Sequence, residues 1–337
     1  MTMKTLTLHA PLDMHVHLRD NEMLDVVGPL SAHTFSGGLI MPNLVPPVTT
    51  KEAVLGYQER IVKANATHAF VPYMTLFYQN YSRAFLEELQ NSILAIKLYP
   101  SGVTTNSEGG VSSFDLESMR ETLEAMSDLN IVLSVHGETN GFVMDREAEF
   151  MNIYAMLAEN FPRLKIVMEH ITTREAALML ERYENLYATI TVHHLMITLD
   201  DVAGGMLRPH LFCKPIAKRP HDRDALLDLA LKAHPKVMFG SDSAPHPKHA
   251  KESCGCGAGV FTSPIALQLL CEVFDTHNAL ENLQAFVSDN AQRIYNLSPL
   301  EKNVTLIQRP FVVPELYGTV VPMRAGETLS WSIENVD

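Results

Sequence analysis

A chain of 337 residues with 26 basic and 39 acidic side chains carries a formal charge of −13, which excludes a broad nucleic-acid or anionic-membrane surface and leaves room only for a local basic pocket. With 46% hydrophobic and 19% charged residues it has ample material for a core and is not a disordered chain. Four cysteines are too few for a disulfide framework at this length, so a reducing cytoplasm is the expected setting.

The first ten residues lack the apolar centre of a signal peptide, and no apolar run approaches the roughly 18 residues of a membrane span. A soluble protein is expected. Eight short apolar runs follow in order, at 14–18 (just after a Pro-Leu-Asp turn at 11–13), 38–41, 69–76, 93–98, 131–135, 165–169, 186–191 and 237–240. Between several of them lie amphipathic stretches with helical spacing, at 114–129, 146–159, 173–183 and 223–233. Continuous apolar strands alternating with helices predict a parallel sheet covered on both faces, and eight such units predict a closed (β/α)8 TIM barrel. An open doubly wound sheet would bring a glycine-rich phosphate turn after its first strand, and none is present. The segment after Leu297 is irregular, with Pro310, Pro314, Pro322 and short β-rich pieces. The reading is one barrel domain over 1–337, with a core of about 12–300 and an extension packed on it over about 301–337.

Five of the runs carry or end in a group that can bind metal or move protons. These are His15 and His17, Lys97, His136, His170 and Asp242. A barrel turns the C-terminal ends of its strands towards one mouth, so residues far apart in sequence would meet there. Spacing of two on a strand puts His15 and His17 on one face, and imidazoles with a carboxylate suit Zn²⁺. Lys97 has two readings. It pairs with Asp242 or a substrate anion, or burial frees its amine to add carbon dioxide and become a metal-bridging carbamate. Asp242 suits metal binding and proton transfer, or a helix N-cap. Arg19 lies two beyond His17, where it can reach over the mouth and take a carboxylate through paired hydrogen bonds, or else pair with Asp20 or Glu22. The loop 101–113, rich in Ser, Thr, Gly and Asn, reads as a lid that orders over substrate or as an ordinary flexible loop. Cys254 and Cys256 lack the spacing of a structural zinc motif and read as a tight loop on the substrate side. Cys213 and Cys271 read as core, and the pair His193-His194 as packed and hydrogen-bonded beside the mouth.

Taken together, the segments 13–20 (Asp-Met-His-Val-His-Leu-Arg-Asp), 41–50, 97–100, 135–138, 169–173, 208–211, 240–246 and 251–256 resemble the amidohydrolase superfamily, and within it the compact bacterial dihydroorotases. The match in order and spacing runs over roughly residues 12–300. The resemblance implies a hydrolase of a cyclic amide C–N bond that interconverts N-carbamoyl-L-aspartate and L-dihydroorotate in de novo pyrimidine (UMP) biosynthesis. It implies two zinc ions, one on His15, His17 and Asp242 and one on His136 and His170, bridged by Lys97 as N6-carboxylysine and by hydroxide. The hydroxide would be the nucleophile and Asp242 the general base and acid. Arg19, Asn43 and His246 would hold the substrate carboxylate, main-chain groups of Lys214 and Ala258 the ring, and Thr104 and Thr105 would sit on the closing lid. A cytoplasmic homodimer acting on a small molecule, without nucleic acid or membrane, is implied as well. Lys214 departs from the pattern, which has an apolar residue such as Leu at this position. A related hydantoinase or dihydropyrimidinase would share the metals without a reason for Arg19, Asn43 and His246, and a catalytically silent scaffold would be expected to have lost ligands that are all present.

Overall fold

The computed structural model describes residues 3–337. Strand β1 (Thr5–His9) precedes eight parallel strands, β2 (Leu12–Val16), β3 (Gly37–Ile40), β4 (Val71–Phe77), β5 (Ala95–Leu98), β6 (Val132–Val135), β7 (Ile166–Met168), β8 (Leu186–Ile190) and β9 (Val237–Phe239). They hydrogen-bond in that order, β2 through β9. The ring is closed by a parallel bridge between Val16 and Ser243, with Asp242 N donating to His15 O (2.8 Å) and His17 N to Ser243 O (3.1 Å). Helices run between the strands, among them Asn21–Thr34, Lys51–Ala64, Leu116–Leu129, Arg146–Asn160 and Pro220–Leu231. The architecture is the (β/α)8 TIM barrel expected from the alternation. Most of the eight strands are buried along their whole length, as continuous apolar runs require.

Two local differences from the sequence reading have physical causes. β2 begins at Leu12, so Asp13 belongs to the strand and not to a turn. Its carboxylate is fully buried and accepts from Ser241 N (2.8 Å) and Ser241 Oγ (2.6 Å), which makes it a polar stitch across the closing seam. The stretch 173–183 forms only the short helix Arg174–Met179, capped by the Thr173 hydroxyl on Ala176 N.

The inner wall alternates with period two. Ala95, Val132, Val167 and Met238 pack into a floor cluster with Leu12, Met14, Leu39 and Met41, plugged from below by Ile294 and Tyr295 of the helix Asn290–Tyr295. Two residues further along the same faces stand Lys97, Ser134, Glu169 and Gly240. The bottom of the barrel is therefore filled, and its polar chemistry sits at the top. After the barrel come β10 (Asn303–Ile307), β11 (Phe311–Val312), β12 (Thr328–Leu329) and β13 (Ser332–Val336). β10 pairs antiparallel with both β1 and β13, so the chain ends share one small sheet, while β11 pairs with β12. Among the described residues no helix is long and apolar enough to cross a membrane.

Candidate active site

Six side chains named from the sequence gather at the barrel mouth: His15, His17, Lys97, His136, His170 and Asp242. All are buried. Asp242 Oδ1 lies 3.1 Å from His17 Nε2 and 3.5 Å from His15 Nε2, so three donor atoms converge on one point. The rings of His15 and His170 are 4.9 Å apart between centroids, and those of His170 and His136 are 4.7 Å apart. The histidines thus form a chain across the mouth.

Strict strand alternation would send Glu169 and His170 to opposite faces. His170 has φ +40° and Asp242 φ +43°, a left-handed conformation costly for residues with a Cβ. At His170 it breaks the alternation, and both Glu169 and His170 reach His15. The neighbouring Gly240 must lack a side chain, because a Cβ there would come within 2.9 Å of His15 Cβ.

The carboxylates around the imidazoles set their tautomers. His15 Nδ1–H donates to Glu169 Oε2 (2.8 Å), which leaves Nε2 as a lone pair facing Asp242. His136 Nε2–H donates to Glu138 Oε2 (2.7 Å), leaving Nδ1 free. Burial alone would raise the Glu169 carboxyl, but His15, the Lys97 ammonium and the Ser134 hydroxyl outweigh it and hold it below the ordinary range. Glu169 and Glu138 were not assigned roles from the sequence; the carboxylate neighbouring each histidine in Glu169-His170 and His136-Gly-Glu138 was the available signal. Burial lowers His15, His17 and His170, so these imidazoles are neutral and able to bind metal. The same burial raises Asp242, against the pull of His15, Lys97 and His136.

Lys97 stands 0% exposed with no hydrogen-bond partner for Nζ, 5.0 Å above the Tyr99 ring. It is not paired with Asp242. Burial lowers its pKa to about 8, so roughly one amine in ten is free at pH 7. His170 Nδ1 is likewise buried without a partner. Four imidazoles and a carboxylate, beside a buried amine short of a partner, are a donor set that fits a divalent-metal centre.

The second ring of residues also assembles. Arg19 pairs with neither acidic neighbour, since Asp20 is taken by Arg60 (2.8 Å). Its Nε donates to Pro245 O (3.2 Å) and its Nη2 lies 3.2 Å from His246 Nε2, itself 2.9 Å from Ala258 O. Burial, then the nearby Arg19 charge, lowers His246 to about 4, so its ring is neutral. Asp242 caps no helix: the next one, Lys248–Lys251, starts after Pro247.

The loop 101–111 folds over the mouth. Asn43 Nδ2 donates to Thr105 O (3.0 Å), Asn106 Nδ2 to Asn43 O (3.0 Å) and Lys214 Nζ to Val103 O (3.0 Å). The Lys214 ammonium thus reaches this loop across the mouth. Beneath lies a partly open cavity of about 20 Å³, lined by Arg19, Thr104, Thr105, Lys214, Asp242 and Ala258 among others. That is room for one or two waters, less than a ring-sized ligand fills. Lys214→Met, which keeps the stem and removes the donor, is expected to speed hydrogen exchange of amides 101–107 by about 3–10-fold, one neutral hydrogen bond's worth. Unchanged exchange there would remove Lys214 from the closed lid.

Cys213 and Cys271 are buried, and Cys254 and Cys256 belong to neither group of donor atoms close enough to hold a metal ion. His194 lies between Thr191 Oγ1 (2.9 Å) and Pro215 O (3.1 Å), as expected. Both ring nitrogens of the buried His193 lack a hydrogen-bond partner, contrary to that expectation, and His193, His194 and Cys213 form a second group whose donor atoms lie close enough to hold a metal ion.

Comparison with known proteins adds identity to this geometry. The amidohydrolase family model matches residues 90–297. A dihydroorotase of Helicobacter acinonychis is 44% identical over 98% of this chain and 99% of its own length. A crystal structure of dihydroorotase from Campylobacter jejuni superposes with a TM-score of 0.96 at 55% identity, covering 99% of each chain. That of a Saccharomyces cerevisiae dihydroorotase in complex with 5-fluoroorotic acid superposes at 0.92, with 34% identity over 98% of each.

Proposed function

The chain belongs to the dihydroorotase family of amidohydrolases, hydrolases of a cyclic amide, and from that premise we propose that it interconverts L-dihydroorotate and N-carbamoyl-L-aspartate on a pair of zinc ions, as a step of pyrimidine biosynthesis. The observation that carries the reading is the convergence of His15, His17 and Asp242 beside a buried Lys97 with no partner of its own. His15, His17 and Asp242 would hold one zinc, and His136 and His170 the other. Lys97, carboxylated on Nζ, would offer an oxygen to each. When bound, such a pair supplies a water acidified towards neutrality and a Lewis acid for the ring carbonyl.

The rest is done by the chain. Asp242, raised by burial, accepts a proton as water adds to the ring carbonyl and returns it to the departing ring nitrogen; ring closure runs the same transfers backwards. Arg19, Asn43 and neutral His246 converge from three loops to hold the substrate carboxylate. Their orientation of the ring converts an encounter into a positioned reaction. Main-chain groups at Lys214 and Ala258 meet the ring edge, and Thr104 and Thr105 come down with the lid to exclude water. Glu169 and Glu138 fix the imidazoles so that each offers one lone pair to the centre.

The test is ring opening by zinc-loaded protein, followed by ultraviolet absorbance, with L-dihydroorotate beside dihydrouracil and hydantoin. Turnover of dihydroorotate alone is expected. In Arg19→Met, KM for dihydroorotate should rise about 10–100-fold, the worth of a lost charge-assisted pair, while the metal content stays unchanged. Turnover of the uncharged rings, or unaltered saturation in the variant, would overturn the carboxylate pocket and leave a cyclic amidase of other specificity.

A further inference from the structure

The segment 254–259 reads Cys-Gly-Cys-Gly-Ala-Gly, a run with little side chain to anchor it and a large conformational entropy to lose. Yet it carries Ala258, which lines the mouth. What orders it is Lys251, the last residue of the helix Lys248–Lys251 and only 3% exposed. Its ammonium donates to Gly257 O (2.7 Å), Gly259 O (2.7 Å) and Phe212 O (2.9 Å). Three donors meet three acceptors, and among the described residues no carboxylate pairs with it. A buried cation held by carbonyl dipoles and, at 5.8 Å, by the Phe212 ring, with no carboxylate beside it, is costly to keep.

The geometry of the grip explains the cost. Lys251 takes the carbonyls on either side of Ala258. The Ala258 carbonyl points elsewhere, to His246 Nε2 at 2.9 Å, on the pocket side. The third carbonyl, at Phe212, belongs to the other loop of the mouth, two residues before Lys214, and also accepts from Gly259 N (2.9 Å). One ammonium therefore fixes the facing of the peptide at Ala258 and ties it to the loop that carries Lys214. The fit is tight: Gly259 has φ +152°, and a Cβ there would stand 2.4 Å from Ala244 O.

We propose that Lys251 is a positioning residue for the ring of the substrate, holding the main chain at Ala258 and Lys214 in register with each other through its three carbonyl bonds. This rests on the reading above, in which those main-chain groups meet the ring. Lys251 hydrogen-bonds to none of His15, His17, Asp242 and Arg19, and it reaches His246 only through the Ala258 peptide, so its contribution is to binding and not to the chemical step.

The test compares Lys251→Met, which keeps the stem and loses every donor, with Lys251→Gln, which keeps two neutral donors. KM for dihydroorotate is expected to rise about 10–100-fold in Met and by less in Gln, with kcat lowered less than about fivefold and metal content unchanged. A Met variant with wild-type KM, whatever its melting temperature, would overturn the proposal by leaving Lys251 a structural lysine. So would a loss confined to kcat, or a loss of metal. Should Met fail to fold, Gln decides alone, and wild-type KM there is equally fatal. Wild-type protein that does not open dihydroorotate overturns the parent reading instead, so the two failures are told apart.

Discussion

Replacing Lys97 by alanine is expected to lower the rate of ring opening by at least about 10³-fold and to reduce the bound metal below two ions per chain, measured by atomic emission on the same sample. The reason lies in an imbalance. A side chain ending in an ammonium sits at the barrel mouth with no exposure and no hydrogen-bond partner, and burial has already brought its pKa down to about 8. An unpaired buried charge is among the more expensive things a fold can keep. Loss of a proton frees the amine, and addition of carbon dioxide with release of a second proton turns the former cation into a carbamate anion, which two divalent cations would stabilise in place. In wild-type protein prepared with ¹³C-bicarbonate, a carbamate carbon resonance is the matching direct signal. Because alanine vacates the lysine's volume, a short carboxylic acid such as acetate should restore part of both activity and metal. Full activity in Lys97→Ala without additive would sink the carbamate.

Asp242→Asn is the second large effect. Asparagine has the same shape and keeps an oxygen to face the histidines, but it cannot accept the proton. Loss of a positioned general base and acid costs about 10²–10⁴-fold. The loss should fall on kcat, with KM altered far less, because proton transfer is felt only in the transition state. Metal content separates this role from ligation: with both ions retained the loss belongs to the proton, and retained activity with both ions bound would assign the proton to another group.

The barrel was legible because parallel strands covered on both faces must be continuously apolar, and all eight runs fall within about two residues of the observed strands. The mouth was legible for the same reason, since each run that ended in a ligand type delivered it to one end. What stayed hidden was whatever breaks periodicity. The helix Asn21–Thr34 carries Gly28 and Pro29 inside it, and β1 buries fully only Leu8. Asp13 looked like a turn residue because its partner, Ser241, is 228 positions away. Backbone handedness at His170 and Asp242 leaves no mark in composition at all, and the grip of Lys214 on the lid is a distance, not a pattern.

The seam between β2 and β9 has a consequence in time. His15 comes from the first barrel strand, His17 from just beyond it and Asp242 from just beyond the last, and they meet only where the ring shuts. β1 is held, through β10, to the far end of the chain in the same way. Contacts of such long sequence separation bear the full entropy of loop closure before they return anything, and they form late. During synthesis the helices and neighbouring strands can pair while the seam still lacks its second edge. In refolding from denaturant, recovery of helical ellipticity should therefore run ahead of recovery of metal binding, and the interval between them measures how long the nearly complete barrel waits to close.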